Sequence, residues 1–196
     1  MKLSNTNSYG EIILVNIIAL ITVYLSALIF GDVKDLVGQP VWLQIGAITV
    51  SYLLFGFRVF AGVFIGGILS GYFIWNWGGS PLNWLQAFAG SIAPLLAIQC
   101  MKVFKLSNFY GDDKLVFEHV IFLAILAGIF NTGLKLIVNT SIRNNILYPE
   151  LPAREIDVLS FIQSYLFGDI VGGIAFIFIV TMVVTPIIRV LRIRRG

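Results

Sequence analysis

The chain has 196 residues, of which 58% are hydrophobic and only 12% charged, and its mean hydropathy is +0.93. A charged share about half that of globular domains excludes a soluble domain and a disordered chain, because a soluble protein of this length cannot hide so much apolar surface. The net charge of +3, with one basic cluster at the C-terminus, gives no nucleic-acid footprint, and the single cysteine, Cys100, excludes a disulfide scaffold.

What remains is an all-α, polytopic integral membrane protein forming a single domain over residues 1–196. A helix needs about 20 apolar residues to cross the hydrocarbon core, and six stretches are candidates: 12–30, 41–57, 59–75, 82–104, 115–138 and 158–188. The first is too long for a signal-peptide core and no A-x-A site follows it, so it is expected to be retained. Only Arg58 separates the second and third, which predicts a tight helical hairpin. Gly, Asp and Pro mark the loop at 31–40, Gly-Gly-Ser-Pro the turn at 76–81, and two prolines the longest loop, at 140–157.

Six spans place both termini on one side, together with Lys2, Arg58, Lys102, Lys105, Lys114, Arg189, Arg192, Arg194 and Arg195. The other side holds Lys34, Arg143 and Arg154, with Lys135 in or near the fifth span, so the positive-inside rule predicts cytoplasmic termini. Trp42, Trp75, Trp77 and Trp84 fall near the outer ends of spans, where an aromatic belt is expected.

Polar groups at lipid depth are the candidates for function, because burying them unpaired is costly. Asp169 lies in an otherwise apolar, glycine-rich run, and Asn131 and Lys135 share a face of span five at i, i+4 spacing. With span five at 115–138, Asn131 falls roughly 6 Å and Lys135 roughly 12 Å outward of its centre. A Lys135–Asp169 ion pair with Asn131 as hydrogen-bond partner is the expected arrangement, either as a clasp between helices or as a ligand- or proton-sensing site. Gly62/Gly66, Gly67/Gly71 and Gly168/Gly172 form three GxxxG pairs, suited to close helix packing within the bundle or to homodimerisation. Arg58 reads as a topology anchor within reach of Glu118. The lone His119 has no second ligand at metal spacing. No metal or cofactor is implied, and no H-E-x-x-H, G-x-S-x-G or P-loop is present, so an enzyme is not expected. Asn139-Thr140-Ser141 matches a glycosylation sequon beside the membrane.

Two blocks resemble a known family. The first is Gly46-Ala47, Leu54-Phe55-Gly56-Phe57-Arg58 and Ala61-Gly62-Val63-Phe64-Ile65-Gly66-Gly67; the second is Phe167-Gly168-Asp169-Ile170-Val171-Gly172-Gly173 with Pro186 beyond. The chain resembles the membrane-associated sensor domain of the first type (the MASE family). Gly56, Arg58, Gly62 and Gly66 take that family's hairpin positions, with Ala61 where the family has proline. Gly168, Asp169 and Gly172 take its G-D-x-x-G motif. The resemblance implies a bacterial inner-membrane input module, here a shortened stand-alone form without an output domain. It would act through a separate kinase, cyclase or regulator, with membrane lipid and a second copy as further partners. The basic tail, Arg189, Arg192, Arg194 and Arg195, or the Arg58 turn, would pass on the signal. Two other readings are a small-solute carrier or vitamin-type substrate-binding subunit, hinted at by Pro94 within span four, and a ligand-free anchor or assembly subunit.

Overall fold

The computed structural model describes residues 9–29, 41–106, 117–143 and 157–193. These fold as α1 (Tyr9–Ile29), α2 (Leu43–Phe55), a short 3-10 turn (Gly56–Val59), α3 (Phe60–Phe73), α4 (Pro81–Val103), α5 (Phe117–Arg143) and α6 (Val158–Ile193). Arg194 and Arg195, together with Lys34 and Arg154, lie outside the described residues, and for Arg189 and Arg192 only the helical backbone is described.

Among the described residues five continuous helical runs are long and apolar enough to cross a membrane, and the chain is a multi-pass membrane protein by length and composition. Their outward faces carry large apolar side chains such as Ile13, Ile17, Leu25, Phe88, Ile137 and Ile179, each more than a third exposed, as expected where lipid is the solvent.

One of the five runs, Leu43–Phe73, contains both the second and third sequence-predicted stretches. It does not continue straight. Gly56 has φ +72, a left-handed backbone that favours glycine, and the 3-10 turn follows it. Gln44 at the start of α2 donates to Ser70 near the end of α3 at 3.1 Å, and Trp42 stacks on Trp75 with ring centroids 5.1 Å apart. Residues 26 positions apart would be about 39 Å apart on a straight helix, so the chain reverses at Gly56–Val59. The arms are short, at 13 and 14 residues, or about 20 Å each.

Small residues set the packing. A Cβ on Gly62 would strike the backbone of Asn16, and one on Gly66 would lie 3.0 Å from Leu20 O, so this pair seats α3 alongside α1. Gly67 and Gly71 face Ala87 and Asn83 of α4. Gly172 faces the backbone of Trp42, and Gly46 meets Gly173, which packs α2 against α6. Five of the six GxxxG glycines thus have their close approach to another helix of the same chain, as does Gly168 through its carbonyl, which accepts from Trp42 N at 2.8 Å. α2 packs beside α6 more extensively than beside its own hairpin partner α3.

The turn at Arg58 is tied to α1. Asn16 donates from Nδ2 to Arg58 O at 2.9 Å and accepts on Oδ1 from Gly62 N at 2.7 Å. The acidic partner seen for Arg58 is Glu11 of α1, 3.5 Å away, rather than the expected Glu118. Sequence reasoning passed over both Asn16 and Glu11; an amide inside the first apolar run was the available signal.

α4 starts at Ser80, whose hydroxyl accepts from Asn83 N, with Pro81 at the first helical position. It runs unbroken through Pro94, so the discontinuous helix at which that proline hints for a carrier is not formed. α5 continues five residues beyond the expected 138, to Arg143. Thr140 Oγ1 bonds back to Leu136 O at 2.8 Å, keeping the polar end in the helix. α6 is capped by Asp157, which accepts from Leu159 N and from the Ser160 hydroxyl. The hydrogen bonds from Ser160 hold the Asp157 carboxyl below its ordinary pKa.

Substituting Gly62 or Gly172 with alanine is expected to abolish monodisperse protein in detergent, because the methyl would meet backbone. Gly133→Ala, on α5 with nothing within 4 Å of its methyl, is expected to keep the protein folded and to gain up to about 1 kcal/mol from helix propensity. Size-exclusion yield and thermal unfolding separate the three.

Candidate functional site

The G-D-x-x-G motif of α6 has a separate physical task for each residue. Gly168 gives its carbonyl to the first peptide N–H of α2, and Gly172, one turn on, lets that same backbone approach. Asp169, about 100° around the helix, points at α5. There its Oδ2 accepts from Asn131 Nδ2 at 2.8 Å and from Thr132 Oγ1 at 3.4 Å. Gly128 makes room for it: a Cβ there would lie 3.3 Å from the Asp169 Cβ. Asp169 and Asn131 are each 1% exposed.

Lys135 departs from expectation. It is 4% exposed and lies one turn beyond Asn131 on α5, yet among the described residues no carboxylate oxygen comes within 4.0 Å of its ammonium. The Nζ sits instead 5.2 Å from the Trp42 ring centroid and 6.0 Å from that of Tyr165, held by the negative faces of the two rings. The direct ion pair to Asp169 is therefore replaced by an Asn131–Asp169 hydrogen bond and an aromatic seat for the cation. Asn131 and Thr132 both bond to Asp169 Oδ2, while the long lysine stem places the Lys135 charge against the Trp42 and Tyr165 rings. Because α5 is 27 residues long with its midpoint at residue 130, Asn131 lies about 1.5 Å and Lys135 about 7.5 Å beyond that midpoint, both closer to it than expected.

Next to Lys135 is a cavity of about 10 Å³ between α2, α3, α4 and α5, room for roughly one water. Gln44, Ile45 and Ile48 of α2 line one side; Gly67, Ala87, Gly90 and Ser91 line the other. Asn131, Lys135 and Gln86 supply polar groups, and Trp42, Trp75 and Trp77 complete the lining. The three indoles are in series, Trp75 stacking on Trp42 and lying 4.9 Å from Trp77 in a tilted contact. Trp75 is 9% exposed and turned inward, Trp84 is half exposed, and Trp42 and Trp77 lie between.

Around the cavity run further polar contacts that sequence reasoning did not single out. Gln86 Nε2 donates to Asn139 Oδ1 at 2.9 Å, joining α4 to α5. This buries Asn139, at 7% exposed, and takes it away from the surface a glycosylation acceptor needs. Tyr52 donates to Ser91 O at 3.1 Å. The available signal was the recurrence of Gln, Asn and Ser within otherwise apolar helices, which in lipid requires partners.

The remaining candidates stand apart from this cluster. Arg58 and its glycines are at the opposite end of the bundle, His119 is partly buried near the start of α5 with Nδ1 unpartnered, and Cys100 is a free thiol. Among the described residues no three His, Cys, Asp or Glu side chains group as metal ligands. No protein-family model matches the chain, and no curated protein or solved structure matches it.

Removing the Asn131 donor to Asp169 by Asn131→Ala is expected to destabilise the bundle by about 1.5–3 kcal/mol, the range for hydrogen bonds to charged groups. Gln86→Leu and Asn139→Leu should each cost about 1–3 kcal/mol, while the double substitution costs less than their sum because no orphan amide remains. Unfolding titrations in mixed micelles read both; additive single and double effects would mean that the amides are not coupled.

Proposed function

We propose that the chain is a non-enzymatic signal-input module of the bacterial inner membrane, of the MASE type, acting through a separate partner protein. In this reading the hairpin arms count as two crossings, giving six spans with both termini in the cytoplasm. The observation that carries it is the buried Asp169–Asn131–Thr132 cluster, with Lys135 beside it on a small polar cavity in the outer half of the bundle. A bundle that only needed to hold together in lipid would be served by apolar packing, whereas a buried carboxylate and ammonium are costly there.

The mechanism is a shift between two helix packings that bind the signal with different affinity. Occupation of the outer cluster would move α5 relative to α6 and, through the Trp42–Gly168 hydrogen bond, α2. α2 ends at the Arg58 turn, which Asn16 and Glu11 couple to α1, so a displacement at the outer face has a route to the cytoplasmic side. The Arg58 turn and the tail bearing Arg189, Arg192, Arg194 and Arg195 would then present the change to a kinase, cyclase or regulator.

The cavity also favours a second reading, a small-solute carrier or substrate-binding subunit, since a polar pocket within the bilayer is what a solute site requires. Purification in mild detergent through a tag on the C-terminal tail, followed by mass spectrometry, separates the two. The input-module reading expects a co-purifying signalling protein whose recovery changes several-fold in Asp169→Asn, consistent with a coupling of about 1–3 kcal/mol. A nucleotide-driven energising module in its place, or solute uptake into proteoliposomes, would support the carrier.

A further inference from the structure

We propose that the cavity between α2, α3, α4 and α5 binds a small solute of no net charge, with an anionic oxygen at one end and N–H donors at the other, the chemistry of a zwitterionic amino acid. The proposal deepens the input-module reading and rests on it for the signalling consequence.

Three lining side chains carry a buried polar atom with no hydrogen-bond partner among the described residues: the donor Trp75 Nε1 and the acceptors Gln86 Oε1 and Asn131 Oδ1. The fourth, Lys135, brings an ammonium that rests on ring faces with no carboxylate oxygen within 4.0 Å. All four residues are nine-tenths buried or more, at 9%, 3%, 1% and 4% exposed. Buried polar groups in folded proteins are almost always answered, so an occupant must both accept and donate. A site with only donors would select an anion and one with only acceptors a cation; this site selects a dipolar molecule.

Net charge points the same way. Lys135 and Asp169 cancel within the cluster, and a singly charged ligand would leave an uncompensated charge in a low-dielectric interior, which is strongly unfavourable. A zwitterion puts its carboxylate toward Lys135 and Trp75, and its ammonium toward Gln86 and Asn131, without changing the total.

At about 10 Å³ the cavity admits one water, so a solute must widen it. The outer wall is the part built to move. Trp42 and Trp77 are part-exposed, and the indoles meet through one stacked and one tilted ring contact. Displacing Trp42 pulls on the peptide N–H that it gives to Gly168, one residue from Asp169, so admission of solute and movement of α6 are one event.

Full-length protein in lipid nanodiscs is titrated with glycine, acetate and glycine betaine, following heat and tryptophan fluorescence. Glycine is expected to bind saturably and shift the emission. Acetate lacks the ammonium and betaine lacks N–H donors, so each should bind at least tenfold more weakly. Gly90→Ala supplies the steric test: its methyl would lie 3.7 Å from Asn131 Oδ1 and 4.0 Å from Lys135 Cε, ordinary contacts that leave the fold intact while filling the cavity. It should lose glycine binding at least tenfold, as should Lys135→Met; if Lys135→Met fails to fold, Gly90→Ala carries the test. A wild type silent to glycine, or equal binding by Gly90→Ala, overturns the proposal and leaves an ordered water as the occupant. If glycine is silent while partner recovery still depends on Asp169, the ligand class falls and the input-module reading stands. Glycine binding with no partner sensitive to Asp169→Asn supports the ligand class and removes the signalling role.

Discussion

Within a bilayer no solvent answers a buried carboxylate, and the answer given to Asp169 organises the half of this bundle remote from the Arg58 turn. Its Oδ2 takes hydrogen bonds from Asn131 and Thr132, which fixes the rotation of α6 against α5. That rotation places Gly168 and Gly172 on the face where the backbone of α2 must come close. From α2 the chain reaches Tyr52 and α4, and from Gln44 it reaches Ser70 on α3. The same demand repeats outward, where each interhelical amide or hydroxyl stands in for absent water.

Lys135 shows the other half of that constraint. An ammonium can be stabilised by ring faces as well as by a carboxylate, and Trp42 with Tyr165 supplies them. This leaves the cation beside a cavity instead of locked in an ion pair. A clasp would have neutralised the two charges against each other; here they are held near one another with their hydrogen-bonding capacity only partly used.

Much of the helical layout was legible, because apolar runs of about 20 residues and Gly/Pro turns report directly on lipid as solvent. The start of α6 was marked by the end of the two-proline loop and by Asp157. The end of α5 was not, because Asn139, Thr140 and Ser141 look like a loop, whereas Gln86 and the Leu136 carbonyl hold them in the helix. The gathering of Asn131, Lys135 and Asp169 was open to depth counting, since helical rise fixes it. Where Lys135 would point was not, because a four-carbon stem reaches several partners and only tertiary packing chooses. The inward turn of Trp42 and Trp75 was hidden for a related reason: a tryptophan at the end of a span suits both a lipid interface and the mouth of a cavity. The Asn16 clamp lay within a run read simply as apolar.

The hydrogen bond from Trp42 to Gly168 also has a consequence for how the molecule is made. α2 emerges from the ribosome more than a hundred residues before the segment that accepts its first peptide N–H and packs against its Gly46 face. Until α6 is inserted, the α2–α3 hairpin stands with one side unmatched, and Trp42 has neither its backbone acceptor nor a neighbouring Tyr165. Contacts between segments so far apart in sequence form late. The Asp169–Asn131–Thr132 cluster is therefore completed only once α6 is in place, and a chain arrested before α6 would have the residues that line the cavity without the carboxylate behind them.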